Sequence, residues 1–364
     1  MDQFDFWLTL GKTVAIFGLL LNVTVLLVWV ERKVVADMQD RLGPMRAGPH
    51  GILQTVADGL KLFFKEQITP KKAELGAYLM APALSVITAF LLFLVIPVGR
   101  PFTVQTSEGL RVITLNAMDL NVGLLFILAV SSTAVYGIVL AGWSSGSKYP
   151  LLGGVRATAQ AISYEAAMGL ALVSVAMYTA LTRTGGGEAS LSVVSIIEQQ
   201  QGTWAGFIPR WNILPLFIPF VVFAIAAVAE TNRAPFDLVE AEQEIVGGFH
   251  TEYSGMRFAL FFLAEYVNMF TMSAIGVSLF LSGWGGPFLD QLDGIPATLL
   301  SIGYFFAKVF VLIFVYIWLR ASLPRMRYDQ LMELGWKRLI PVALAWLILS
   351  TLVLAVRTFG MPWA

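Results

Sequence analysis

Cysteine is absent from the 364 residues, so no iron–sulfur cluster can be held here by thiolates. Histidine is nearly absent. His50 and His250 both fall in expected loops, whereas a membrane haem needs axial histidines within helices; no redox centre is therefore expected in this chain. Charge is scarce: Asp, Glu, Lys and Arg make up 13% of residues, about half the share found in soluble domains. The stretch SSGSKYPLLGG lacks the G-x-x-x-x-G-K-[ST] spacing, which excludes a phosphate cradle of that kind. No internal repeat is visible, so an inverted-repeat transporter plan has no support.

What is present is apolar. The chain is 57% hydrophobic with a mean hydropathy of +0.74, more than one water-soluble core can absorb. The apolar runs are about 20 residues long and do not alternate with polar residues, which fits membrane helices and not barrel strands. Eight segments result, at about 8–30, 76–97, 120–142, 158–182, 213–230, 257–283, 297–320 and 339–358. The first is too long for a cleavable signal peptide and lacks a basic leader. The expected fold is an all-α polytopic membrane protein, one integral domain over 1–364, with about eight transmembrane helices.

Of the 24 Lys and Arg, 17 fall in loops 31–75, 143–157, 231–257 and 320–338, and five on the other side. This bias assigns those four loops to the cytoplasm and both termini to the outside. The outer loops read as ordinary connectors. The segment Gly51–Lys65 carries Ile52, Leu53, Val56, Leu60, Phe63 and Phe64 at helical spacing, with Asp58, Lys61 and Lys65 largely away from them. It reads as an amphipathic helix on the cytoplasmic side. Trp29, Trp143 and Trp318 read as interfacial anchors.

Ionisable groups inside spans cost a few kcal/mol each and need a reason. Glu165, Glu230 and Glu265 occur at related depth, the first and last about 12 Å from the cytoplasmic helix ends, with Tyr164 and Tyr266 beside two of them in sequence. They read as a line of titratable groups carrying protons, or as hydrogen-bonding groups between helices. Lys308 reads as a counter-ion to one of them. Glu31 closes the first span beside Arg32. The loop ETNRAPFDLVEAEQEIVGGFHTEY packs six carboxylates behind an apolar helix. Asp237 and Glu240 suit a capping box. Glu242 and Glu244 have no such duty, and Glu240 and Glu244 repel at i,i+4. His50 reads as a polar turn residue; His250 is a candidate for lining a cavity.

Four stretches carry a resemblance: RLGPMRAGPHGILQTVADGLKLFFKE, GWSSGSKYPLLGGVRATAQAISYE, ETNRAPFDLVEAEQEIVGGFHTEYSGMRFALFFLAEY and RASLPRMRYDQLMELGWK. In this order they resemble the H-subunit family of bacterial respiratory complex I, the proton-pumping NADH:quinone oxidoreductase, whose mitochondrial homologue is NADH dehydrogenase subunit 1. The resemblance implies a membrane subunit at the junction with the peripheral arm, forming a quinone-access chamber. Quinone would be the substrate; NADH, FMN and iron–sulfur clusters would belong to partner subunits. Partners would be the peripheral-arm subunits with the quinone-reduction site and terminal cluster, and other membrane-arm subunits. The setting would be the bacterial cytoplasmic membrane, and nothing points to nucleic acid. Glu31, Arg32, Asp58, Lys61, Phe236, Asp237, Glu240, Glu242, Glu244, Arg320 and Arg325 would line or brace the chamber. Glu165, Glu230, Glu265 and Tyr164 would serve the proton pathway. Three positions depart from the family: Val239 stands where proline is common, Met45 where asparagine is common, and Ser132 where some bacterial relatives carry glutamate. A related hydrogenase-type complex shares this plan. A free-standing channel would not need such large cytoplasmic loops.

Overall fold

The computed structural model describes residues 3–106, 109–182, 190–204, 208–237, 246–292 and 294–359. The described chain is overwhelmingly helical. The long helices are α1 (Gln3–Met38), α3 (Leu75–Phe93), α4 (Gly123–Ser144) and α5 (Lys148–Thr182), with the short α2 (Gln54–Phe64) between the first two. After a short α6 (Val193–Gln199) come α7 (Phe217–Glu230), α8 (Met256–Phe280), α9 (Ile295–Ser322), α10 (Tyr328–Glu333) and α11 (Ile340–Phe359), the last two joined by a π-helical turn, Leu334–Leu339. Among the described residues, seven helical stretches are long and apolar enough to cross a membrane; α7 is apolar but shorter.

The fifth expected span, 213–230, is thus a helix of 14 residues, rising about 21 Å against a hydrocarbon slab of roughly 30 Å. The turn after it must find its hydrogen bonds within protein. Thr231, Arg233 and Phe236 are accordingly buried. Asn232 takes the left-handed conformation at φ 51°, which asparagine tolerates better than most residues. Gln160 of α5 donates to the carbonyls of Ala229 at 2.7 Å and Phe236 at 2.9 Å, pinning both ends of the turn.

Helix α8 is the axis of the bundle. From Tyr266 to Phe280 every residue except Asn268 is buried. Phe270 stacks on Phe93 of α3 at 5.4 Å and on Phe306 of α9 at 6.2 Å. On the side away from the acidic loop, Gln200 donates to the Ser278 carbonyl at 3.0 Å and accepts from the Ser282 amide at 2.9 Å, holding the end of α8.

Several loops differ from expectation. Helix α5 starts at Lys148, inside the stretch 143–157 read as a loop between two apolar segments. Pro150 lies in the first turn, where its missing N–H costs nothing. Gly153 serves close approach: a Cβ there would stand 2.7 Å from Gly248 backbone. The connector after α3 is an antiparallel hairpin, β1 (Phe102–Thr106) with β2 (Gly109–Ile113), and a second short one pairs β3 (Thr203–Trp204) with β4 (Ile208–Pro209). The amphipathic helix forms at Gln54–Phe64 with no buried residue; Phe63 and Phe64 are 63% and 81% exposed. Before it, Gly51 at φ 76° lies where a Cβ would meet the Pro44 carbonyl at 2.3 Å, so only glycine closes that turn.

Candidate functional site

Two cavities lie on either side of α8. The larger, about 610 Å³ and open, is lined by Glu31, Arg32, Val35, Gln39 and Arg41 from α1 and its end, by Leu42, Gly43 and Pro44, and by Phe262, Tyr266, Arg320 and Ala321. The smaller, about 90 Å³, is lined by Ser85, Ser131, Glu230, Asn232, His250, Glu265 and Asn268 among apolar and aromatic side chains. It has room for a few water molecules. Glu230 Oε2 and Asn268 Oδ1 are buried there without a hydrogen-bond partner among the described residues.

An ionic chain joins the two. Arg233 Nε lies 2.7 Å from Glu265, and its Nη1 lies 3.4 Å from Glu31 Oε1. Its guanidinium also sits 4.3 Å over the Tyr266 ring. Arg320 pairs with the same Glu31 oxygen. Two carboxylates and two guanidiniums thus form a neutral quartet, with Glu31 5% and Arg233 5% exposed. Neutrality is what makes so much buried charge tolerable: a buried ion is retained when paired and hydrogen-bonded. Arginine suits the centre because its planar fork serves two acceptors and an aromatic face at once.

The chain continues past the small cavity. Ser131 donates to Glu165 at 3.0 Å and reaches Glu230. Ser132 also donates to Glu165. The position where some relatives carry a carboxylate is therefore a hydroxyl that binds one. Glu165 is in turn the charge that acts most directly on Glu230.

The remaining expected site residues are arranged around this core. Arg32 pairs with Asp58 at 2.7 Å, tying α1 to α2. Lys61 is exposed on α2. Asp237 faces Arg325 at 3.7 Å, and the Met326 amide donates to the Pro235 carbonyl at 2.9 Å. Phe236 is buried 5.4 Å from the Tyr164 ring. The Tyr164 hydroxyl donates to the Leu331 carbonyl at 2.9 Å, beside the π-helical turn. Glu240, Glu242 and Glu244 lie outside the described residues.

Lys308 is not the counter-ion expected from sequence. Its ammonium donates to the carbonyls of Leu281, Gly283 and Gly285 at 2.7, 3.0 and 2.5 Å, beyond the end of α8, and lies 5.4 Å from the Trp211 ring. The reason is local: carbonyls past a helix end have lost their helical donors and carry partial negative charge.

Sequence reasoning missed Arg233, which it counted only as a topological charge, and also Gln160, Ser131 and Asn268. No local signal set Arg233 apart, because the apolar run 213–230 before it read as a full span.

Comparison with known proteins identifies the family. Residues 11–351 match the NADH dehydrogenase family model. Two relatives, each named as the H subunit of NADH-quinone oxidoreductase, come from Frankia casuarinae and Frankia alni. Each is 49% identical over 354 residues, covering 97% of this chain and 73% of theirs. With most of its length matched on both counts, the chain belongs to the NADH dehydrogenase family, as a membrane subunit of the NADH-quinone oxidoreductase H type.

Proposed function

We propose that this subunit forms the membrane-side wall of the quinone chamber and couples quinone reduction to proton movement through its buried carboxylates. One observation carries the reading: Glu31 lines the larger cavity and is tied through Arg233 to Glu265, which lines the smaller cavity together with Glu230. At about 610 Å³ the open cavity falls in the range of small-molecule sites, and its mix of aliphatic, aromatic and cationic walls suits a quinone ring.

The coupling follows from electrostatics. Reducing a quinone to a quinol takes up two electrons and two protons. Anionic character arising near Glu31 competes for Arg320 and Arg233. As Arg233 turns towards the larger cavity, Glu265 loses its neutralising partner and takes up a proton; the smaller cavity then connects it to Glu230, and Ser131 leads on to Glu165. Arg32, Asp58 and Lys61 brace the membrane-facing side of the chamber, and Phe236, Asp237 and Arg325 its loop side. The acidic residues Glu240, Glu242 and Glu244 would add charge to the same wall, and Tyr164 would flank the route. Quinone is the substrate in this reading, and the chain holds no redox group. NADH, FMN and iron–sulfur clusters sit in partner subunits of the peripheral arm, and other membrane-arm subunits carry the protons onward. The membrane is the bacterial cytoplasmic one, with both termini outside.

The test is Glu230→Gln in the whole complex, reconstituted in vesicles. The expected result is loss of proton pumping with assembly intact. Pumping per NADH equal to the parent's would overturn the reading.

A further inference from the structure

His250 has no part in the quinone or carboxylate roles above, yet it lines the smaller cavity on a rigid backbone. It ends a short 3-10 turn, Gly248–His250. The turn is pressed against Gly153 of α5, where not even a methyl group would fit. Its ends are tied: the Gly247 amide donates to the Thr251 hydroxyl at 3.2 Å, that hydroxyl donates to the Gly248 carbonyl at 2.7 Å, and the Tyr253 amide donates to the His250 carbonyl at 3.0 Å. The imidazole is then wedged edge-on between Phe249 at 5.1 Å and Phe258 at 5.3 Å. A histidine needed only to fill space could be a third phenylalanine. Here the ring has no hydrogen-bond partner among the described residues, and it borders a cavity holding two unpartnered buried oxygens.

The titratable groups facing this cavity are few. Helix α3 contributes Ser85, α4 Ser131 with Ala134, Val135 and Ile138, and α5 Ala161. None of these titrates in the accessible range. Helix α7 contributes Glu230 and α8 contributes Glu265. His250 is thus the only group among the described lining residues that is neutral when deprotonated and cationic when protonated. Once the acid of the pair has given up its proton, both carboxylates are charged and repel. A base that becomes a cation between two acids relieves that repulsion.

We propose that His250 is a transient proton acceptor bridging Glu230 and Glu265 across the water of this cavity. In the step, a carboxylic acid O–H bond breaks and an imidazole N–H bond forms, leaving a carboxylate and an imidazolium. The reverse transfer to the second carboxylate restores the neutral ring. No electron moves and no other reactant is needed. Burial pushes the imidazole pKa down to about 4, so the ring is neutral at rest and its cation is only a transit state. The inference rests on the carboxylate reading of the proposed function.

The test uses the assembled complex with His250→Gln and His250→Ala, beside Glu230→Gln. NADH:quinone turnover with proton pumping is compared with NADH:ferricyanide turnover, which does not use the membrane arm. The expected result is at least a fivefold loss of pumping-linked turnover in both His250 variants at unchanged ferricyanide activity. Added imidazole should restore His250→Ala at least threefold, while pyrrole, of the same shape without the basic nitrogen, should not. Full activity of His250→Gln would overturn the proposal, as would equal rescue by imidazole and pyrrole or no rescue at all. If His250→Ala fails to assemble, the Gln variant decides alone. Unchanged pumping in Glu230→Gln would instead sink the underlying carboxylate reading, so the two failures are distinguishable.

Discussion

The bundle holds buried charge in two ways. Around α8 and the turn after α7, Glu31, Arg233, Glu265 and Arg320 neutralise one another. Beyond the far end of α8, Lys308 is neutralised by three backbone carbonyls. Glu31, Glu265, Arg320 and Lys308 all stood out in the sequence; Arg233 did not. The difference is in the partner. Backbone carbonyls cannot change protonation state, so Lys308 is held in one arrangement and serves to fix a helix end. Carboxylates can, and Arg233 has two of them to choose between. Intramembrane charge becomes a switch when its counter-charge titrates, and a brace when it does not.

The comparison is broken most severely at Arg233. Arg233→Met leaves Glu31 and Glu265 without their shared cation. Removing one partner from a buried ion network costs roughly 3–5 kcal/mol, so quinone reductase activity should fall by more than tenfold, with reduced assembly on native gels. Arg233→Lys should recover assembly but little activity, because one ammonium cannot serve both carboxylates and the Tyr266 face. Lys308→Met should be milder and different in kind. Leaving buried carbonyls unsatisfied costs about 1–3 kcal/mol, read as a lower melting temperature of the detergent-solubilised subunit, with protons pumped per NADH unchanged. A loss of coupling in Lys308→Met would erase the distinction between brace and switch.

A third expectation concerns pH. The folded pKa of His250 lies at about 4, below the ordinary 6.5. Between those values the unfolded chain binds a proton that the folded chain refuses, so stability falls as pH drops from about 6.5 towards 4 and is unaffected above. Thermal melts of His250→Asn should lose this part of the acid sensitivity and match the parent's slope above pH 7. The smallest effect belongs to Ser132→Ala. Ser131 still donates to Glu165, so turnover should drop less than threefold in steady-state assays.

Much of this was legible in the sequence because it is local. Apolar length marked the helices, and the six-residue apolar face of the segment before Lys65 marked α2. Glu31, Glu230 and Glu265 stood out because a lone carboxylate in a span is costly. What the sequence hides is pairing over distance. Arg233 meets Glu31 across 202 positions, and nothing local distinguishes it from other loop arginines. The carbonyls around Lys308 have no side-chain signature, so the lysine was visible and its partners were not. Glycines mislead in the same way: Gly153 looked like a loop residue, yet it lets α5 touch the backbone that carries His250. Helix length was hidden as well: the run 213–230 read as a full span, and only the structure shows a helix of 14 residues with a buried turn after it.

The central claim is that the open cavity and the buried carboxylates act as one electrostatic unit. It is tested most directly by infrared difference spectra of the assembled complex, with and without bound quinone, for the parent, Glu230→Gln and Glu31→Gln. The expected result is a quinone-dependent band of protonated carboxyl groups that is lost in Glu230→Gln and shifted or weakened in Glu31→Gln. A band unchanged in both variants would contradict the claim.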